Sequence, residues 1–299
     1  MPASLDAAAL ARIRSLELRA KVIVEGLWKG MHRSPYHGFS VEFSEYRAYV
    51  QGDDPRAIDW KVLARSDRTF IKKFEDETNL RCQLVVDHSR SMKFGSGPMT
   101  KADYAATLAA TLALFLMQQG DAVGVTTFGP SLQEHIPARN RPGHLRRLML
   151  ELEKPAPAGA TALDLSVKQL ADLVRKRGVI CLVSDMLAPV EKLERQLGLL
   201  GAMGHDVVVF HVMDRAEIDF RFDKVAHFRD LETGAERFID PSVSREIYLN
   251  RLNVHRDFIR RACERQGIEY HWTPTDTSLE QVLFDFLSVR NRKKGGPRR

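Results

Sequence analysis

The sequence lacks an apolar run long enough to cross a bilayer. Its longest apolar stretch, Tyr104 to Met117, is about 14 residues and is broken by Thr107 and Thr111, against the roughly 20 that a helical span requires. The N-terminus, MPASLDAAALARIRSLELRAKV, carries acids and bases throughout and has no uninterrupted apolar segment of the signal-peptide type. A cytoplasmic protein without a membrane span is expected. Cysteines are equally sparse: Cys82, Cys181 and Cys263 are far apart and form no CxxC pair, which excludes a disulfide framework and a zinc knuckle. Cys82 and Cys181 lie in apolar runs and read as buried thiols.

Common catalytic signatures are missing as well. The nearest approach to GxxxxGK[ST] is GSGPMTK, Gly95 to Lys101, where Thr100 stands in place of the second glycine and no Ser or Thr follows Lys101. There is no GxGxxG after a strand, no GxSxG elbow and no HExxH helix. An aspartyl phosphotransferase needs a second acid two residues after its nucleophile; after Asp87 that position is Ser89.

A net excess of one charge sign is absent from the body of the chain. The formal net charge is +6, and the last ten residues, RNRKKGGPRR, alone supply six cations and no acid. Residues 291–299 are therefore expected to form a disordered basic tail. A nucleic-acid role would rest on that tail alone.

What is present is an alternation. QLVVD (83 to 87), AVGVTTF (122 to 128), GVICLVSD (178 to 185) and DVVVFHVMD (206 to 214) are short, continuously apolar, β-branched runs, with helical patterns between them at 100 to 118, 141 to 153, 162 to 176 and 190 to 203. Such strands imply a parallel sheet covered on both faces. The fold class is α/β: a doubly wound, mostly parallel sheet flanked by helices. IEYHW (268 to 272) and a helix near 277 to 289 return the chain to the sheet, and EIDFRF to RFID around Glu232-Thr233-Gly234 predicts a hairpin insertion at about 215–241. Residues 4 to 27 read as an amphipathic helix. Three parts are expected: an N-terminal α+β region at 1–79, the sheet domain at 80–290 and the tail.

In open α/β sheets ligands sit beyond the carboxyl ends of the strands. LVVDHSRSM puts Asp87, Ser89 and Ser91 there; LVSD puts Asp185 there; GATALD starts a helix with Thr161. One carboxylate and two hydroxyls on a curling loop, with oxygens from two further loops, suit a hard cation such as Mg²⁺. Each residue alone also reads as a cap or a strand end: Ser91 or Thr161 as a helix N-cap, for example.

In that order, Asp87-x-Ser89-x-Ser91, Thr161 and Asp185 resemble the metal-ion-dependent adhesion site of a von Willebrand factor A domain. The resemblance implies Mg²⁺ or Mn²⁺ contacted by Ser89, Ser91 and Thr161, with Asp87 and Asp185 acting largely through water and one coordination position left for a partner carboxylate. Met186 follows Asp185 where many A domains have Gly. A longer resemblance runs through GFSVEFSEYRAYVQGDDPRAIDWKVLARSDRTFIKKFEDE (38 to 77), LVVDHSRSM, LVSDM, GHDVVVFHVMD and FRDLETG, which look like the DUF58 family. It implies partnership with a MoxR-type AAA+ ATPase, of an assembly or chaperone-like kind.

Within GDDPRAIDWKVLAR, Lys61 and Arg65 share a helix face. Asp53, Asp54, Arg56, Lys61 and Arg65 are candidates for docking a partner; Trp60 and Asp59 read as anchors of that helix. The expectation is a non-enzymatic, cation-dependent protein-binding module. A metal-dependent hydrolase using the same site is the alternative, and it needs a general base, for which His88 is the only adjacent candidate and is expected to face solvent.

Overall fold

The computed structural model describes residues 7–33, 45–48, 70–73, 80–129, 131–155, 169–170, 172–222, 226–229 and 235–294. By contacts the chain divides into two compact units, one of Met1–Gly30 with Leu80–Arg299 and one of Met31–Asn79. The region expected as one piece at 1–79 is thus divided at residue 30, and its helical start groups with the sheet. The described part of the smaller unit is a two-stranded antiparallel hairpin of β1 (Glu45–Ala48) and β2 (Phe70–Lys73).

The larger unit is built on β3 (Arg81–Asp87), β4 (Ala122–Phe128), β5 (Leu132–Arg139), β6 (Val179–Ser184), β7 (Asp206–Met213) and β10 (Glu269–Pro274). Their order across the sheet is β10-β7-β6-β3-β4-β5, all parallel except β5. The four runs read as buried strands are β3, β4, β6 and β7. Alternate side chains point to opposite faces. Val85, Leu182, Ile180, Val207 and Val209 share one face with Leu193, Leu197 and Leu200 of α5 (Val190–Ala202) and with Ile259, Ala262 and Cys263 of α7 (Pro241–Arg265). The other face meets α3 (Lys101–Gln118) and α8 (Leu279–Lys294), where Phe210 and Phe286 lie 5.9 Å apart between ring centres. A buried mixed layer on each face is what continuous apolar strands require.

The N-terminal pattern forms two helices, α1 (Ala7–Ala11) and α2 (Leu16–Arg33). Leu16, Ala20, Ile23, Val24 and Leu27 of α2 are buried at helical spacing, Trp28 stacks on Phe115 of α3 at 5.5 Å, and Arg19 Nη1 donates to Thr107 Oγ1 at 3.1 Å. The remaining elements are α4 (His144–Leu152), α6 (Arg215–Asp219) and the hairpin β8 (Ala226–Arg229) and β9 (Glu236–Ile239), which is the predicted insertion.

Two elements differ from expectation. β5 is an edge strand that carries Pro137, a residue that no interior strand accommodates but an edge does. The basic tail begins inside a helix: α8 continues to Lys294, because the first breakers are Gly295, Gly296 and Pro297, and cations near a helix C-terminus are favoured by its dipole. The expected helix at 162–176 lies largely outside the described residues.

Candidate metal centre at the carboxyl ends of the strands

β3 and β6 are neighbours whose following helices, α3 and α5, cover opposite faces. The chain therefore parts at their carboxyl ends, the place where open α/β sheets take their ligands. Asp87 closes β3, and Ser184 and Asp185 close β6. Asp87, Ser89 and Asp185 are buried, at 1%, 0% and 2% exposure, and Ser91 is nearly so.

Local chemistry fixes the first loop. One Asp87 oxygen accepts from the Ser89 N–H at 2.8 Å, curling the chain so that Ser89 Oγ and Ser91 Oγ come within 3.0 Å of each other. Asp87 Oδ2 accepts from Ser184 Oγ at 2.6 Å, and Ser184 Oγ in turn accepts from the Met186 N–H at 3.0 Å. Ser184 thereby ties the two strand ends together. Ser91 is the first residue of a single 3-10 turn, Ser91–Lys93, whose N-cap position is Arg90; the cap reading of Ser91 is not what the structure holds.

Asp87 meets no Lys, Arg or His within ion-pair distance among the described residues. Its carboxyl is pushed up to about 7 by burial and then by the charge of Asp185, while bonds from Ser184 and Ser89 oppose the rise. Two buried carboxylates side by side, short of positive charge, form a site that a hard cation would relieve.

Asp185 has a partial answer to that shortage. Lys101, fully buried, places Nζ 2.9 Å from Asp185 Oδ2 and 2.8 Å from Glu217 Oε1. Burial alone would lower the Lys101 pKa, but the two carboxylates outweigh it and hold the ammonium charged. Glu217 shifts upward through burial, against the pull of Lys101. The bridge joins α3, the loop after β6 and α6. Asp214 caps α6 by accepting from Ala216 N–H, and it also accepts from Ser96 N–H at 3.0 Å and from the Ser96 hydroxyl. GSGPMTK thus serves as a loop pinned at Ser96 and Lys101, with Thr100 capping α3.

The position after Asp185 is informative. Met186 has φ 53°, the left-handed region, and is buried at 1%. The backbone keeps at Met186 the conformation that glycine adopts freely. His255 Nε2 bonds the Met186 carbonyl at 3.0 Å and helps hold it there. Beneath lies His211, pushed down to about 3 by burial although Asp185 pulls the other way, so its imidazole is neutral. Its Nδ1 pairs with Tyr270 OH at 2.9 Å, and its Nε2 has no hydrogen-bond partner among the described residues.

Of the residues proposed from sequence, the structure brings together Asp87, Ser89, Ser91 and Asp185. Thr161 lies outside the described residues, as do Asp53, Asp54, Asp59, Arg56, Trp60, Lys61 and Arg65. His88 is 5% exposed, which corrects the expectation that it faces solvent. Burial lowers its pKa, and the charges bearing on it are Glu151 and Lys154 rather than Asp87 or Asp185. Sequence reasoning missed Lys101, Ser184 and Glu217. A lysine at the first position of a helix runs against the helix dipole, and that was the available signal for Lys101. Among the described residues no group of three or more His, Cys, Asp and Glu gathers as a metal cluster; this candidate set depends on hydroxyls.

No described helix is long and apolar enough to cross a membrane. Two mycobacterial proteins, Uncharacterized protein Rv1480 of Mycobacterium tuberculosis (strain ATCC 25618 / H37Rv) and Uncharacterized protein Mb1516 of Mycobacterium bovis, are each 28% identical over 287 residues, covering 94% of this chain and 90% of theirs. Among solved structures, BatB from Bacteroides thetaiotaomicron superposes with a TM-score of 0.50 at 13% identity, over 72% of this chain and 99% of that one. An aerotolerance-related membrane protein from Bacteroides fragilis NCTC 9343 gives 0.50 and 13%, over 70% and 99%. The SpRpn10 VWA domain aligns over 69% of this chain and 94% of its own at 13% identity, with a TM-score of 0.41. The likeness to BatB shows the fold alone, a mostly parallel α/β sheet flanked by helices. Residues 45–258 match the family described as "Protein of unknown function DUF58", and the chain belongs to that family.

Proposed function

We propose that this chain is a cation-dependent protein-binding module whose crevice between β3 and β6 holds Mg²⁺ or Mn²⁺ and receives an acidic side chain of a partner. The observation that carries the reading is Asp87: buried, unpaired with any cation among the described residues, beside Asp185, and followed by two hydroxyls turned toward each other. Ser89 and Ser91 would hold the ion directly. Asp87 and Asp185 would orient its water, and Thr161 would supply the third loop, as the resemblance to A domains implies. The bound cation offers an open position to a carboxylate oxygen.

The chain's own residues set the terms of that event. Ser184 fixes the Asp87 carboxylate by its hydrogen bond, and Lys101 neutralises one oxygen of Asp185, so that site charge is lower than two free carboxylates would give. A site of moderate charge binds a cation and still leaves it electrophilic toward a third carboxylate. Surrounding surface would supply most of the affinity, and the ion the direction.

By family resemblance the partner is a MoxR-type AAA+ ATPase, in assembly or chaperone-like work. The test is binding between the purified full-length chain and the MoxR-type ATPase of the same organism, in Mg²⁺ and in EDTA, with wild type and Asp87→Ala. The reading expects binding in Mg²⁺ that is lost in EDTA and in the variant. Equal binding in all four conditions would overturn it.

A further inference from the structure

The opposite end of the sheet carries a second site of different chemistry. Arg81 opens β3, Ala122 opens β4 and Val179 opens β6, while the antiparallel β5 ends there at Arg139. Together with the segment that leads into β6, these ends border a half-open cavity of about 630 Å³. The size lies within the range of small-ligand pockets.

Among the described residues its wall holds five cations, Arg81, Arg139, Arg141, Arg175 and Lys176, and no Asp or Glu. None of the five lies in an ion pair with a carboxylate among the described residues. Arg81 Nη1 and Arg175 Nε donate only to backbone carbonyls, of Ala138 at 3.4 Å and Asp172 at 3.2 Å. Some arginines elsewhere on the described surface do pair, as in Arg265 with Glu194 at 2.7 Å and Arg260 with Glu264 at 3.0 Å. Five like charges around one cavity repel one another, and an anion of high charge density placed among them would convert that repulsion into attraction.

The floor is built rather than incidental. Gln83, 3% exposed, donates from Nε2 to Thr126 Oγ1 at 2.9 Å, and Thr126 Oγ1 meets His135 Nδ1 at 2.9 Å. Gly178 lets β6 start against β3, since a Cβ there would lie 2.3 Å from the Arg81 carbonyl oxygen. Pro137, Leu173 and Val174 add an apolar side to the charged rim.

We infer that this cavity binds a small polyphosphate-bearing ligand of nucleotide size. Four of the five cations are arginines, whose planar forks match phosphate oxygens in pairs. The cations gather around one half-open hollow and do not form the extended stripe that a polynucleotide backbone follows. The apolar side fits a base or sugar above the phosphates. This inference does not rest on the carboxyl-end site.

The experiment is calorimetric titration of the full-length protein with ATP and with inorganic tripolyphosphate, in EDTA so that no divalent ion bridges either probe to Asp87. Arg139→Glu/Arg141→Glu and Asp87→Ala are titrated alongside. The inference expects saturable binding of both probes to wild type and to Asp87→Ala, weakened about tenfold or more in the double charge reversal. Tighter binding of ATP than of tripolyphosphate identifies a nucleotide, and equal binding identifies phosphate alone; both support the site. If the reversal does not fold by circular dichroism, the neutral pair Arg81→Gln/Lys176→Gln replaces it and must show the same loss. Absence of saturable binding by either probe, or unchanged binding in the folded variants, overturns the inference. So does a single-stranded oligonucleotide that binds while both small probes fail.

Discussion

At the carboxyl ends of the sheet charge is buried and crowded: Asp185 and Glu217 share one ammonium, that of Lys101, and Asp87 beside them has no cation within ion-pair distance among the described residues. At the amino ends charge is of the opposite sign, exposed, and paired with no carboxylate among the described residues. Burial makes the first arrangement expensive and dependent on every partner, because in a low dielectric each unmatched charge costs several kcal/mol. Exposure makes the second inexpensive, since water and salt screen it. The difference teaches that the two ends respond to different perturbations, the one through folding and pH, the other through ionic strength.

The largest expected effect comes from removing the shared cation. Lys101→Met leaves Asp185 and Glu217 facing each other without a counter-charge, and urea unfolding in EDTA is expected to show a loss of about 3–5 kcal/mol. A loss below about 1 kcal/mol would mean that the buried bridge is not formed.

Next is pH. With Asp87 pushed up to about 7 in the metal-free fold, against roughly 4 for an unfolded aspartate, the folded state holds a proton through a window where the unfolded chain has released it. Stability contributed by this group therefore falls as pH rises from about 4 to about 7 and levels off above. Thermal melts in EDTA should follow that slope, and Mg²⁺ should raise the melting temperature most above pH 7, where no proton has to be displaced. A Mg²⁺ effect that grows on acidification contradicts the assignment.

Ser184→Ala removes the donor to Asp87 and the acceptor for Met186 N–H, leaving both polar groups unsatisfied. A loss of about 1–3 kcal/mol is expected, with cation affinity lowered more at pH 6 than at pH 8, since the Ser184 bond is one of those that hold the Asp87 pKa down. At the other end, Arg141→Glu should change stability by no more than about 0.5 kcal/mol. If it destabilises the fold as much as Ser184→Ala, the contrast between the ends is lost.

The parts of this fold legible in the sequence were those written locally. Four β-branched apolar runs became β3, β4, β6 and β7, and Asp87, Ser89 and Ser91 came within reach because their spacing alone curls one loop. What was not legible depends on distant chain or on context. β5 looks like loop because Pro137 is compatible only with an edge, and edge status follows from tertiary order. Lys101 stood out only as the last residue of a failed phosphate-loop pattern, and its pairing with Asp185, 84 residues away, depends on the fold. Ser184 stood beside a chosen residue and was passed over, because a strand-end serine has no spacing signature. The basic cavity was hidden by arithmetic: six cations in the last ten residues equal the whole net charge, so a local excess elsewhere is cancelled by acids at other places.

The central claim is a divalent-cation site at the carboxyl ends of β3 and β6, and direct Mn²⁺ titration by electron paramagnetic resonance tests it most directly. The account predicts a single Mn²⁺ bound per chain, displaced by Mg²⁺ and absent from Asp87→Ala at a pH where both proteins are folded. Mn²⁺ binding that is unaltered by Asp87→Ala, or no bound Mn²⁺ in the wild-type chain, would contradict it.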